Sequence, residues 1–567
     1  MSSIQYYVGT LRSLIGLQLV SRLASFGLNQ SLIRIASPTV YGTAAIQFDL
    51  IRDTILFLGR EAVRGVVLRT RVTDDDEKAK GTSPEATGTR SRVLNMTLIA
   101  PALGLLVVFT VIPAYLSLLP HETTSQSCYM PSLCGYLFAT IIELATEPFM
   151  LGTQIGLFTL PGRDSSSIRA RIEGTSVVVR AVVTFACLYI TKQFGTSDEH
   201  ALLGFGLGQI AYSVVLIGAW MRAVGYNVVS EVLSQFITMV RTVPWALFKR
   251  KTSSTLFEKS QLRLLGALSG QSLFKHCLTE ADRAVVGWTS PLEDQAGYAL
   301  ATNYASLIVR IVFQPLEESA RLYFSRTIKP DRQAIRWEDV QPYQVLANIL
   351  HVSFALPLVT AAFVPPVGSI LMPYLLPPRY LQTSAPSTLV AYMTLYLPIM
   401  SVNGILEAFF SATTDTHKVA RQSGVMAGCS LIFGGTLAVI RQIRKGDVSS
   451  LPRVPVEWIT PEISLVYANT LQMICRIIFA GKHAADLTDR SIGSRTSLRW
   501  RPGMLTIATI VASGIFTRAI PQVVDLHAAA TLLMIASFGV LCLVCLGFDE
   551  MPCWRSLRTP GTVRKSD

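Results

Sequence analysis

Two apolar segments of this chain end in the same charged pattern, a glutamate followed by two arginines at fixed spacing. The members are Glu61, Arg64 and Arg69, and then, 257 residues further on, Glu318, Arg321 and Arg326. One segment upstream, Gln18, Arg22, Asn29, Ser37 and Pro38 correspond at an offset of 253 to Gln271, Lys275, Asp282, Ser290 and Pro291. Such a repeat indicates two copies of one helical unit. Its arginines and glutamates could bind anions or form ion pairs.

Charges at the centre of a membrane helix cost about 2.5–3.5 kcal/mol each on insertion scales, so repeated charges should face a shared interior cavity. The basic residues predicted to line it are Arg22, Arg34, Arg64, Lys275, Arg283 and Arg310. Because arginine stays charged and its planar fork suits phosphate oxygens, this set predicts an anionic substrate. The predicted resting partners or gate residues are Glu61, Glu280, Glu318 and Arg321. For any single residue, pairing that only holds helices together is an equal alternative.

The elements that carry these charges are predicted to be membrane helices. Hydrophobic residues make up 50% of the chain and charged residues 15%, and the mean hydropathy is +0.42. With about 20 apolar residues per span, the sequence predicts an all-α polytopic membrane protein with about fourteen transmembrane helices. The predicted spans are 11–37, 40–68, 94–119, 129–158, 172–191, 200–221, 261–288, 295–325, 343–364, 385–411, 419–440, 463–483, 503–520 and 526–547.

These spans predict two pseudo-symmetric six-helix lobes. The predicted parts are a first lobe at 1–221, a basic cytosolic linker at 222–260, a second lobe at 261–483, and a terminal helix pair with a cytosolic tail at 484–567. Lys and Arg concentrate on alternate loops, which predicts that both termini are cytosolic. That distribution also explains the net charge of +13 without a nucleic-acid partner.

Several motifs of other protein classes are absent from the sequence. It contains no P-loop and no His-Glu-x-x-His, and Cys542 and Cys545 lie in apolar sequence without companion ligands. We therefore expect no cofactor, no metal and no enzymatic activity. Cys128 and Cys134 are predicted to be free thiols, although both lie on the non-cytosolic side, where they could pair.

Two further patterns concern helix geometry. Pro148, Pro315, Pro357 and Pro398 lie within predicted spans and should interrupt them, because proline removes a backbone donor and clashes with the preceding turn. The glycines at 204, 206 and 208 should allow close helix packing.

Several runs resemble the eukaryotic oligosaccharide-translocation family of the endoplasmic reticulum. They are Phe57–Arg64, Glu143–Phe149, Leu278–Arg283, Ser306–Ser319, Val402–Glu407 and Ala468–Arg476. The most specific is Phe313-Gln-Pro-x-Glu-Glu-Ser319. This family is part of the multidrug/oligosaccharidyl-lipid/polysaccharide exporter superfamily, and the resemblance covers both predicted lobes.

The resemblance implies a multi-pass protein of the endoplasmic reticulum membrane that moves a dolichol-diphosphate-linked oligosaccharide to the lumenal side for N-glycosylation. It also implies the lipid bilayer and other N-glycosylation machinery as partners. A doubly anionic diphosphate agrees with the arginine-rich cavity. Two alternatives stay open: a non-transporting accessory protein that binds the same lipid, and, ranked lower, an ion-coupled drug exporter.

The repeated triplets also predict a gate. Both lie at the cytosolic ends of their helices in the predicted topology, so Glu61 could pair with Arg321, or Glu318 with Arg64, in a lumen-open state. An anionic diphosphate competing for these arginines would then favour opening toward the cytosol.

Overall fold

The computed structural model describes residues 26–68, 84–158, 165–195, 200–248, 257–328, 337–414, 416–445, 460–492, 503–523 and 528–558. Within these ranges the chain is helical and contains no strand. It divides into two compact units, residues 1–296 and 297–567. The described parts confirm an all-helical protein.

The first unit contains the helices up to α8. In chain order they are α1 (26–35), α2 (Pro38–Gly42, a π turn at Thr43–Phe48, then Asp49–Val67), α3 (Pro84–Thr97 and Ile99–Leu118), α4 (Tyr129–Leu144 and Glu147–Gln154), α5 (Ser165–Gln193), α6 (Ala201–Val224), α7 (Tyr226–Phe248) and α8 (Lys259–Thr289). A single turn at His121–Thr124 precedes α4.

The second unit begins within the first turns of α9. Its helices are α9 (Leu292–Ile308, a π turn at Val309–Phe313, then Gln314–Thr327), α10 (Trp337–Leu375), α11 (Ala385–Ala391, a π turn at Tyr392–Tyr396, then Leu397–Thr413), α12 (Thr416–Lys445), α13 (Pro461–Ile492), α14 (Met504–Val523) and α15 (Ala528–Arg558). A short turn, Pro378–Leu381, precedes α11.

The repeated Ser-Pro pairs mark equivalent corners of the chain. Ser37 is extended, with ψ 155°, and Pro38 is the first residue of α2. Ser290 is likewise extended, with ψ 143°, after the end of α8, and Pro291 precedes α9. Proline forces the preceding residue out of the helical region but fits the start of a helix, so each pair ends one helix and begins the next.

Three of the four predicted proline interruptions are present. Helix α4 stops at Leu144 and restarts at Glu147, with Pro148 in the first turn of the new segment. Pro315 and Pro398 each lie just after a π turn. Pro357 is different, because α10 continues through it. The extra residue of a π turn relieves the clash between a proline ring and the preceding turn.

The predicted close packing at glycine is confirmed in α6. A Cβ atom on Gly206 would lie 3.3 Å from the backbone of Ser132 in α4, and one on Gly208 would lie 3.1 Å from the carbonyl oxygen of Arg180 in α5. Small residues allow such approach where lipid provides no hydrophobic drive for helix association.

Each unit has its own apolar core. In the first unit, Val63, Leu94 and Trp220 are buried where α2, α3 and α6 pack with α4 and α7. In the second unit, Phe324 of α9 packs edge-on against Phe409 of α11 with ring centroids 5.2 Å apart.

Ten helices of the described residues are long and apolar enough to cross a membrane. They lie within α3 to α6, α9 to α13 and α15, and α14 contributes a shorter apolar stretch, Met504–Ala519. The chain is therefore a polytopic membrane protein, and the count of fourteen stays a prediction. Helices α2 and α8, both predicted spans, are not among the ten. They pack against each other in the first unit and carry many of its charges.

The predicted linker contains a further helix. Helix α7 follows α6 after Gly225, whose φ of +85° suits glycine at this turn. Val232 and Met239 of α7 are buried in the core of the first unit. The predicted lobe boundaries stay a prediction, and α8 packs with the first unit.

Candidate functional site

The charged side chains of α2 lie on one face of the helix. Asp49, Arg52, Asp53, Arg60 and Arg64 recur at intervals of one, three, four or seven residues, which places them within a single stripe. This stripe meets two other helices of the same unit, α4 and α8. Each of these helices carries carboxylates toward it.

The ion pairs form one continuous chain in which the sign of the charge alternates. In order, its members are Glu280, Arg283, Asp53, Arg52, Glu143, Arg60, Glu147 and Arg64, and we call it the ion-pair chain. The closest N–O distances along it are 3.1, 3.1, 3.1, 2.8, 3.5, 3.8 and 2.6 Å. Four arginines alternate with four carboxylates, so the fully ionised chain has no net charge.

The two carboxylates from α4 are the most deeply buried members. The side chain of Glu143 is 6% exposed and that of Glu147 is 2% exposed. Arg64 donates two hydrogen bonds to Glu147, from Nε at 3.0 Å and from Nη2 at 2.6 Å. Arg52 donates from Nε and Nη2 to Glu143. Such two-point pairs hold a buried carboxylate in one orientation.

The end of the ion-pair chain that lies on α8 has more exposed side chains. Arg283 and Asp53 are 34% and 35% exposed at their side chains, and Glu280 is 22% exposed. Beside them, His276 of α8 is hydrogen-bonded to Thr54 at 2.8 Å. The pair of Arg283 and Asp53 is therefore more accessible than the buried pair of Arg64 and Glu147.

A side branch ties the stripe to α5. Arg180 pairs with Asp49 at 3.1 Å and donates to the Tyr136 hydroxyl at 3.4 Å. The Arg52 guanidinium also lies 5.7 Å from the ring centroid of Tyr212 in α6, a cation–π distance. Five helices of the first unit thus contribute polar contacts to one network.

The structure brings together only some of the residues predicted from the sequence. Arg64, Glu280 and Arg283 belong to the ion-pair chain. Glu61 lies on α2 and is half-buried, whereas Arg34 is exposed on α1. Lys275 lies on α8, and Arg22 falls outside the described residues.

The remaining predicted residues lie in the second unit, on α9. Arg310 is exposed in the π turn and Glu318 is exposed after it. Arg321 pairs with Glu317 at 2.8 Å, four residues away. The predicted gate pairs join residues of different units, and they stay a prediction.

Sequence reasoning missed Asp49, Arg52, Asp53, Arg60 and Arg180. Their signal was available, because four of them continue the stripe of Arg64 along α2. At the offset of 257, none of the five corresponds to a residue of the same charge in the second half, so the comparison of the two halves does not indicate them.

The second unit has a shorter polar cluster at the corresponding positions. Asn403 and Glu407 of α11 lie 260 residues after Glu143 and Glu147, and Asn403 donates to Glu407 at 3.2 Å. At the offset of 257, Arg60 corresponds to Glu317. One arginine is thus replaced by an acid and one acid by an amide, so the alternation of the first unit is not repeated.

Other chemistry has few candidate residues. No group of three or more His, Cys, Asp or Glu side chains in the described ranges is placed to hold a metal ion. Cys128 and Cys134 are free thiols, as predicted. Two cavities of the second unit, of about 360 and 560 Å³, are lined mainly by apolar side chains of α10 and α11.

Comparison with known proteins identifies the family. The model of the family described as Rft-1, Rft protein, matches residues 8–558. The chain belongs to the Rft family. It is 31% identical to the Man(5)GlcNAc(2)-PP-dolichol translocation protein RFT1 of Yarrowia lipolytica, over 88% of this chain and 73% of that protein. It is 27% identical to the protein of the same name from Saccharomyces cerevisiae, over 82% of this chain and 80% of that protein.

The fold is shared with a solved flippase. The structure described as lipid II flippase MurJ in an inward closed conformation aligns with a TM-score of 0.56. The alignment covers 97% of this chain and all of that chain at 12% identity. The Rft chain therefore has the fold of this flippase, and its charged residues must be interpreted from their own geometry.

Proposed function

We propose that this chain translocates Man(5)GlcNAc(2)-PP-dolichol across the endoplasmic reticulum membrane, from the cytosolic to the lumenal side, for use in N-glycosylation. The observation that carries the proposal is its similarity, over most of its length, to relatives named as translocation proteins for this lipid. The shared fold supports it, because the solved structure with that fold is described as a lipid II flippase.

The ion-pair chain supports an anionic head group. A diphosphate presents oxygens with the same two-point geometry as a carboxylate, so it can replace an acidic partner of an arginine without leaving the guanidinium unpaired. The more exposed pair of Arg283 and Asp53 is the place where such an exchange requires the least desolvation. Transport would then proceed by exchange of partners within a neutral network.

The same network favours a second candidate, an accessory protein that binds the lipid without moving it. Every arginine of the ion-pair chain already has a carboxylate within 3.5 Å. Because each buried charge already has a partner, the network requires no substrate to compensate it. The relatives' shared name makes translocation the first proposal.

Reconstitution distinguishes the two candidates. Purified full-length protein in liposomes should move labelled Man(5)GlcNAc(2)-PP-dolichol between leaflets at a rate that increases with the protein-to-lipid ratio. A labelled phospholipid without an oligosaccharide serves as the reference substrate. Tight binding of the dolichol-linked lipid with no movement above protein-free liposomes would replace translocation by the accessory role.

Arg90→Ala is the matched control in this assay. Arg90 pairs with Glu231 at 2.9 Å, but the two side chains are 46% and 35% exposed. It is an arginine of the same unit outside the ion-pair chain. Its loss should leave the transport rate unchanged.

A further inference from the structure

Within the part of the chain that the structure describes, helix α13 of the second unit carries an arginine without a carboxylate partner. Arg476 lies near the middle of the candidate membrane span Pro461–Asp489. No carboxylate oxygen of the described residues lies within 4.0 Å of its guanidinium nitrogens. Its Nε atom is buried and has no hydrogen-bond partner. Intramembrane arginines normally pair with acids or backbone carbonyls, so this one is unusual.

The neighbour of Arg476 is a weak acceptor. The thiol of Cys429 on α12, a side chain that is 2% exposed, lies beside its guanidinium. A thiol sulfur accepts hydrogen bonds poorly and carries no charge when protonated. The guanidinium therefore keeps an unmatched positive charge and at least one unused donor.

Two amides lie on the same face of α13. Asn469 and Gln472 precede Arg476 by seven and four residues, a spacing that stacks the three side chains along the helix. Gln472 donates to Asn469 at 2.8 Å, which orients the amide pair. The face combines one cation with polar donors inside an apolar span.

We propose that Arg476, with Gln472 beside it, binds the diphosphate of the translocated lipid in the second unit. This inference rests on the proposed function and adds a site to it. A diphosphate supplies the charge and the paired acceptor oxygens that the guanidinium lacks. The arginines of the ion-pair chain must first give up a carboxylate, whereas Arg476 has to give up only a thiol.

The test is diphosphate binding by the purified full-length chain. A short-chain isoprenyl diphosphate is the probe, and the matching isoprenyl alcohol is the reference for binding of the apolar tail. Wild type should bind the diphosphate at least about tenfold more tightly than the alcohol. Arg476→Gln should lose that preference, raising the Kd for the diphosphate about tenfold or more while leaving the Kd for the alcohol unchanged, since a lost charge-assisted contact acts on the anion alone.

Cys429→Asp is the sharper variant, because it gives Arg476 the counter-ion that arginines of the first unit already have. It should raise the Kd for the diphosphate at least about tenfold, through competition for the guanidinium, and should not lower the melting temperature. Cys429→Ser, which adds no charge, is the matched control and should bind the diphosphate within about twofold of wild type.

The outcomes separate this inference from the proposed function. If wild type binds diphosphate and alcohol equally, diphosphate recognition fails, and both proposals fail with it. If wild type prefers the diphosphate and both Arg476→Gln and Cys429→Asp keep that preference, only the site at Arg476 is overturned. A Cys429→Asp protein that does not fold would also overturn it, because an uncompensated guanidinium should gain from a carboxylate neighbour.

Discussion

Replacing Arg64 with glutamine should destabilise the first unit, because it leaves the Glu147 carboxylate buried beside a weaker partner. Arg64 approaches Glu147 to 2.6 Å, and the glutamate side chain is 2% exposed. After the substitution, the arginine of the ion-pair chain that remains nearest to the Glu147 carboxylate is Arg60, at 3.8 Å. Removing one member of a buried ion pair costs about 3–5 kcal/mol. Because Arg60 remains, we expect the lower end of that range, about 3 kcal/mol.

A double-mutant cycle tests whether the unpaired charge is the cause. Arg64→Gln combined with Glu147→Gln leaves two neutral amides that can bond to each other. The double variant should therefore be more stable than the sum of the single effects by about 2 kcal/mol. The measurement is the free energy of unfolding of the four proteins in the same detergent. A coupling below about 0.5 kcal/mol would refute the reasoning, since additive effects mean that the two groups do not interact.

The same four proteins separate a structural role of Arg64 from a role in substrate binding. If Arg64 only holds α2 against α4, the double variant should regain both stability and transport in liposomes. If Arg64 also binds the diphosphate, the double variant should regain stability while transport stays low. Recovery of transport together with stability would remove Arg64 from the substrate site.

Three further substitutions in the first unit probe other contacts, each by the melting temperature of the purified protein. Gln47→Leu should cost about 1–3 kcal/mol, because the buried Oε1 atom of Gln295, which accepts from Gln47 at 3.0 Å, and the Tyr129 hydroxyl, which donates to Gln47, both lose their partner. An unchanged melting temperature would contradict the pairing. Gly42→Ala should cost about 1–3 kcal/mol, because the new Cβ would lie 2.8 Å from the backbone nitrogen of Ala296; an unchanged melting temperature would show that the contact can relax. Arg90→Ala should change stability by less than about 0.5 kcal/mol, and a larger loss would mean that this exposed pair is not screened by solvent.

Much of the fold could be predicted from the sequence because it depends on local rules. Apolar length gives the positions of the membrane helices, and Pro38 and Pro291 mark equivalent corners since proline acts on its own neighbours. Helix α7 was not predicted, because its apolar residues lie within a polar, basic stretch and are buried only through contacts with other helices. The division of the chain near Ala296 depends on such contacts as well.

The candidate site was predicted less completely. Comparing the two halves found Arg64 because Arg321 repeats it. The same comparison did not identify Arg52 and Arg60, because their counterparts at the offset of 257, Val309 and Glu317, are not basic. Ion pairing depends on which helices meet, and sequence spacing alone does not give that. A search for one charged face along α2, without requiring a repeat, would have found both.

The difference in charge compensation suggests an order of binding for an anionic lipid. To reach Arg64, a diphosphate must displace Glu147 from a buried pair, whose disruption costs about 3–5 kcal/mol before any new bond forms. To reach Arg476, it displaces no carboxylate of the described residues, only a neutral contact with the Cys429 thiol that contributes at most about 0.5–1.5 kcal/mol net. Occupation of Arg476 should therefore come at the lower cost. Exchange with a carboxylate should begin at Arg283, whose partner Asp53 is 35% exposed and can be rehydrated as the diphosphate takes its place.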